Sequence, residues 1–185
     1  MLVVDEEKLP QWIGSDPVMT AYMRDEWGKP LHGETPVFER LCLEVFQSGL
    51  SWLTILKKRE SFRRAFSWFD VDTVAAFGES EIETLLHDSS IVRNRRKIDA
   101  AIVNARATVA LRESEGLSGL VWSYATSSHV ELDDDGRLPA FSDASTTLAK
   151  VLKAKNFSFV GPTNMYALMC AIGVVDVRKA LGLDK

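Results

Sequence analysis

Glu44 stands by itself in the apolar string LCLEVFQSGLSW, residues 41–52. On a helix, Phe38, Leu41, Cys42 and Val45 recur at three- and four-residue spacing and define one buried stripe, with Glu44 at its edge. Gly49 marks a helix stop, and Ser51 can cap a new helix starting at Trp52. The carboxylate therefore sits near a helix–helix corner, where a pocket can open. Trp12, Tyr22, Trp27 and Trp52 lie in the first third of the chain, in QWIGSDP, AYMRDEWG and GLSW. Aromatics at such spacing commonly build core. Gathered around one carboxylate, flat rings can also sandwich a planar heterocycle and hold a cationic one by cation–π attraction. The carboxylate then reads the edge of the heterocycle by hydrogen bonds.

A second string, FSFVGPTNMYALM at residues 157–169, places Gly161, Pro162 and Thr163 at the opening of a helix. A tight turn between two helices leaves backbone N–H groups facing outward, where they and the helix dipole favour an anion such as phosphate. The same turn also serves ordinary helix packing. Charge is distributed unevenly: Lys57 to Arg64, KKRESFRR, has five basic residues against one acid, and Arg93 to Lys97, RNRRK, has four basic residues in five. Together the two islands carry +8 in a chain whose net charge is −4, which leaves −12 for the remainder. Basic islands on an acidic body suit a protein that meets a polyanion with one face, although each island also reads as a solvated helix face.

The elements that must position these residues are helices. With 185 residues, 46% of them hydrophobic, the chain is long enough for one sizeable core. Helical periodicity dominates and period-two alternation is missing, so the expected fold is all-α. One domain is expected over residues 1–185, as a single body or as two lobes with the N- and C-terminal segments packed together. Helices are expected at 17–25, 36–47, 51–68, 72–77, 80–87, 95–114, 119–124, 143–155 and 163–172. Asp72, Ser80 (with Glu83) and Asp143 are the expected N-caps. Residues 126–142, with the acidic run at 131–135 followed by Gly136 and Pro139, read as a surface loop. Cys42 and Cys170 occupy apolar helical surroundings and are expected to pack as small hydrophobes instead of forming a disulfide. No apolar run is long enough to span a bilayer, and the start, MLVVDEEKLP, lacks the basic region of a secretory signal, so a cytoplasmic protein is expected.

The strings GSDPVMTAYMRDEWGKP, LCLEVFQSGLSWLTILKKRESFRRAF, IVRNRRKIDAAIVNARA and FSFVGPTNMYALMCAIGVVD resemble the 3-methyladenine DNA glycosylase I family, from about Trp12 to Asp176. The order DEWG, GLSW followed by KKRE, then FVGPT is specific. The resemblance implies a helix-hairpin-helix DNA-repair fold and removal of 3-methyladenine from double-stranded DNA by hydrolysis of the N-glycosidic bond. It places the base-contacting carboxylate on Glu44, the stacking tryptophan on Trp52 and the pocket tyrosine on Tyr22, with Trp12 and Trp27 as further walls. Gln47, Gly49 and Leu50 correspond to the turn that probes the gap left by an extruded nucleotide. Val160, Gly161, Pro162 and Thr163 correspond to the hairpin that holds the DNA backbone.

Two departures stand out. The family commonly ties its termini with zinc held by two cysteines and two histidines, whereas the matching early positions here are Pro10 and Met23, and neither residue type follows Cys170. No structural metal and no cofactor are expected, and the tail is expected to be fixed by packing of Val177, Leu181 and Leu183. Met19 stands where many relatives have an aromatic, which bears on base preference. A monomer suffices for every expected role. The contrasting readings are a non-catalytic DNA-damage-binding module on the same scaffold and a glycosylase for a different alkylated purine.

Overall fold

The computed structural model describes residues 16–125, 130–134 and 136–183. Among them the regular structure is entirely helical, as the periodicity requires: α1 (Pro17–Asp25), α2 (Glu34–Gln47), α3 (Trp52–Ala65), α4 (Val71–Ala75), α5 (Glu79–His87), α6 (Arg95–Leu111), α7 (Gly116–Trp122), α8 (Asp143–Ala154), α9 (Pro162–Ala171) and α10 (Val177–Ala180). No helix among the described residues is long and apolar enough to cross a membrane. Cys42 and Cys170 are buried free thiols.

Capping side chains fix several starts. Asp16 accepts from Val18 N ahead of Pro17, Ser51 from Thr54 N, Asn94 from Lys97 N and Ser142 from Ser145 N. Three caps differ from the expected ones. Asp70, not Asp72, caps α4 through Thr73 N, and Asp72 instead binds Arg112. Gly78 precedes α5, with Glu81 reaching back to its N–H, in place of Ser80 and Glu83. At α8 the cap is Ser142, one residue before Asp143. Helix α3 stops at Ala65 because Ser67, Trp68 and Phe69 take left-handed φ values of 51°, 57° and 56°. Such a conformation costs each residue roughly 1–2 kcal/mol. Buried Phe66 and Phe69, stacked with centroids 5.6 Å apart, hold the turn, while Trp68 points into solvent.

Helix α2 is the centre of the molecule. Every residue from Val37 to Phe46 except Glu39 is buried, and the helix packs against α3, α6, α7 and α9. A helix buried on nearly all sides reads as almost continuous apolar sequence, and a charged residue within it must find an interior role. Helices α8 and α9 pair as a hairpin. The unforeseen α10 closes the tail: Val177 is buried, and Leu181 and Leu183 pack on the core as expected. Arg178, buried beside them, donates from Nη1 to Met23 O at 2.8 Å and Trp27 O at 3.0 Å.

Candidate active site

Glu44 lies on the inner side of α2, 5% exposed, at the wall of a cavity of about 290 Å³. Helix α1 supplies Tyr22, Trp27 follows its end, α2 adds Gln47, and α3 adds Trp52 at its first position. The Tyr22 and Trp52 rings stand 5.6 Å apart at 49°, so together they form an angled aromatic wall. From α9 come Thr163, Tyr166, Ala167 and Cys170, and the irregular segment before α8 closes the cavity with Leu138, Pro139 and Ala140. Four of the expected site residues, Tyr22, Trp27, Glu44 and Trp52, thus meet at one cavity, and Gln47 and Thr163 join them. Trp12 lies outside the described residues. Met19 is buried in the core and is not among the cavity's lining residues.

Arg40, one turn before Glu44, stands behind the aromatic wall. Its guanidinium carbon is 5.1 Å from the Tyr22 ring centroid and 5.9 Å from that of Trp52. It donates to Tyr22 Oη at 2.6 Å and, at 3.4 Å, to Glu26, which Arg59 grips through both oxygens. The Glu26 hydrogen bonds and charge partners override burial and hold its carboxyl below the usual range. Because the Tyr22 hydroxyl accepts from Arg40, its own proton is available as a donor. Burial pushes the Tyr22 phenol well above its ordinary pKa, so it stays neutral.

Glu44 has no hydrogen-bond partner among the described residues and forms no ion pair with Arg40, which excludes a surface pairing one turn apart. Burial pushes its carboxyl up to about 7, against the opposing charge of Arg40. The Trp52 indole N–H is also buried without a partner among the described residues. A carboxylate poised near neutrality, a neutral phenol donor and two rings form a receptor for a flat, positively charged, hydrogen-bonding ligand.

The turn after α2 presents Leu50 at its apex, 39% exposed. Gln47 Nε2 donates to Leu50 O at 2.9 Å, and Gly49 takes φ +80° with open space where a side chain would stand. In the α8–α9 turn, Gly161 precedes Pro162 with its face equally open, while Phe159 is exposed at φ +59°. Val160 is fully buried, so its side chain anchors the hairpin from inside and only its backbone can face a ligand.

The basic islands behave differently from a free polyanion face. Lys57 pairs with Asp16, Arg59 with Glu26, Arg63 with Glu39 and Glu60, and Arg95 with Glu79 and Glu83. Lys97 is buried, donating to Phe46 O and Ser48 O. Arg93 and Arg96 stay exposed and enter no ion pair among the described residues.

Tyr166, Ala167 and Cys170 were not expected in the cavity, although with Thr163 they follow the three-, four- and seven-residue spacing of one helix face. Leu138, Pro139 and Ala140 carry no such periodic signal. Burial raises the Cys170 thiol to about 12, so it packs as an inert group, as its apolar setting suggested.

Comparison with known proteins gives the family of the chain. Residues 12–180 match the family model described as methyladenine glycosylase. The chain is 40% identical over 168 residues to the DNA-3-methyladenine glycosylase 1 of Escherichia coli (strain K12), covering 89% of this chain and 90% of that protein. It superposes on the crystal structure of a 3-methyladenine DNA glycosylase I with TM-score 0.83 at 41% identity, over 90% of this chain and 93% of that one. A structure addressing 3-methyladenine recognition by the Staphylococcus aureus 3-methyladenine DNA glycosylase I matches with TM-score 0.82 at 32% identity, over 88% of each chain. With an aromatic-walled carboxylate pocket, a two-helix hairpin and a match over nearly its whole length, this chain belongs to the methyladenine glycosylase family.

Proposed function

We propose that this chain removes 3-methyladenine from alkylated double-stranded DNA by hydrolysing the N-glycosidic bond and leaving an abasic site. The observation that carries the reading is Glu44, a buried carboxyl with no internal hydrogen-bond partner among the described residues, at the wall of a cavity bounded by Tyr22 and Trp52. The kinship with proteins named for this lesion supplies the substrate class.

Methylation at N3 makes adenine cationic, so the base leaves as a neutral molecule and needs little acid catalysis. Selection is then the larger task. The base must first leave the stack, at a cost of a few kcal/mol. Trp52 and Tyr22 hold the cationic ring, with Trp27 as a further wall, and the Glu44 carboxylate accepts from the exocyclic amine. A second role for the Glu44 charge, after base recognition, is electrostatic stabilisation of the developing oxocarbenium sugar. Leu50, presented by Gln47 and Gly49, fills the vacated gap, and the backbone from Val160 to Thr163 grips the phosphates. No lysine is among the described residues that line the cavity, which favours attack by water over a Schiff-base route. One copy of the chain suffices for these roles.

The test is release of free base from methylated duplex, identified by chromatography, for the natural protein and Glu44→Gln. The expected outcome is 3-methyladenine release that falls by about 10²-fold or more in the variant. DNA binding without any release from the natural protein would instead favour a damage-binding module.

A further inference from the structure

The two segments assigned to DNA in this reading are held by one face of one helix. On α6, Lys97 Nζ donates to Phe46 O at 2.9 Å and Ser48 O at 2.6 Å, at the end of α2 where the Leu50 turn begins. Seven residues on, Asn104 accepts from Ser158 N at 2.7 Å and donates to Ser158 O at 3.1 Å, clamping the turn between α8 and α9. Seven residues bring a helix back to the same face after roughly 10 Å of rise. Both side chains are buried, Lys97 at 7% and Asn104 at 0% exposure. Neither lines the cavity.

We propose that Lys97 and Asn104 are positioning residues that fix the spacing between the Leu50 turn and the Gly161 hairpin, making α6 the ruler of DNA engagement. The idea rests on the glycosylase reading above. Each contact meets backbone atoms, so it sets where a loop stands irrespective of the side chains that the loop carries. The ammonium of Lys97 also meets the negative end of the α2 dipole, which fixes that terminus more firmly than a neutral donor would. Wedge and phosphate grip must act on one duplex at once, and a displacement of either by about 1 Å can cost 10²-fold in rate.

The experiment compares Lys97→Met, Asn104→Ala, the double variant and Lys97→Arg with the natural protein. It measures kcat/KM for base release from methylated duplex, affinity for free 3-methyladenine, and melting temperature. Each single variant is expected to lose about tenfold or more in kcat/KM on duplex, with free-base affinity within about twofold of natural. Lys97→Arg should recover part of the loss, and the double variant should be little worse than the worse single, because a ruler broken at one end no longer sets a spacing. Unchanged duplex activity in Asn104→Ala or in folded Lys97→Met, or a parallel loss of free-base affinity in the folded variants, would overturn the proposal. Should Lys97→Met fail to fold, Asn104→Ala carries the same test. A natural protein that releases no base would overturn the glycosylase reading itself, a result distinct from active variants on an active background.

Discussion

Glu44 is caught between two opposing influences. Burial pushes its carboxyl up to about 7, and the Arg40 guanidinium, itself committed to Tyr22 and Glu26, draws it back only in part. Below that value the group is largely neutral and offers a cationic base no net attraction; above it the anion forms and the attraction appears. For the free enzyme, kcat/KM on methylated duplex is therefore expected to rise with pH through about 7, and Glu44→Gln is expected to lose that limb. A profile that is flat across this region in the natural protein would remove the ionisation of Glu44 from the reaction. The position of this carboxylate was legible in the sequence because it is a lone acid at the edge of an apolar helix stripe and falls on the base-contacting position that the resemblance implies. Its setting was not, since Arg40, Glu26 and Arg59 lie on three segments that only the fold brings together.

Among the elements, α10 has the least sequence signal for its structural role. Four residues are too few to show periodicity, and Arg178 binds carbonyls more than a hundred and fifty positions away, at Met23 and Trp27. Met23 is also a position where the resemblance implies a zinc ligand, and here a guanidinium from the tail ties the end of α1 instead. The aliphatic stem lies close against Gly28: an added Cβ there would meet Arg178 Cγ at 2.7 Å. Arg178→Met keeps the stem and removes the donors, leaving both carbonyls short of a partner, and is expected to destabilise the protein by about 1–3 kcal/mol in urea unfolding. An unchanged midpoint would assign the tie to Val177 and Leu181 alone. Long elements with a clear stripe, such as α2 and α6, were legible from spacing, while their ends were less so. Asp70 and Asp72 are equally good caps by type, and only the stop at Ala65 decides between them. That stop comes from three consecutive left-handed residues, none of them glycine, which no local rule anticipates.

At the scale of the whole molecule, the charge count along the chain and the ion pairs of the fold point to polyanion faces of different extent. Nine basic residues in two islands suggested a broad electrostatic footprint, yet α3 turns Lys57, Arg59 and Arg63 toward acids at the two ends of α1, on α2 and on α3 itself. Arg95 and Lys97 are committed likewise on α6. The islands follow the helices, and the helices turn most of these side chains toward partners within the chain. On the proposed reading, DNA would be held through backbone N–H groups at the Gly161 hairpin, the Leu50 wedge, the base pocket and exposed cations such as Arg93 and Arg96. Such a grip releases few counterions. The logarithm of the DNA association constant is expected to fall against the logarithm of salt concentration with a slope no steeper than about −4, whereas nine phosphate contacts would give about −8. A titration from about 50 to 200 mM salt, with a duplex carrying an uncleavable abasic analogue, separates the two. The steeper slope would mean that the island ion pairs open on binding and that the basic runs serve DNA after all.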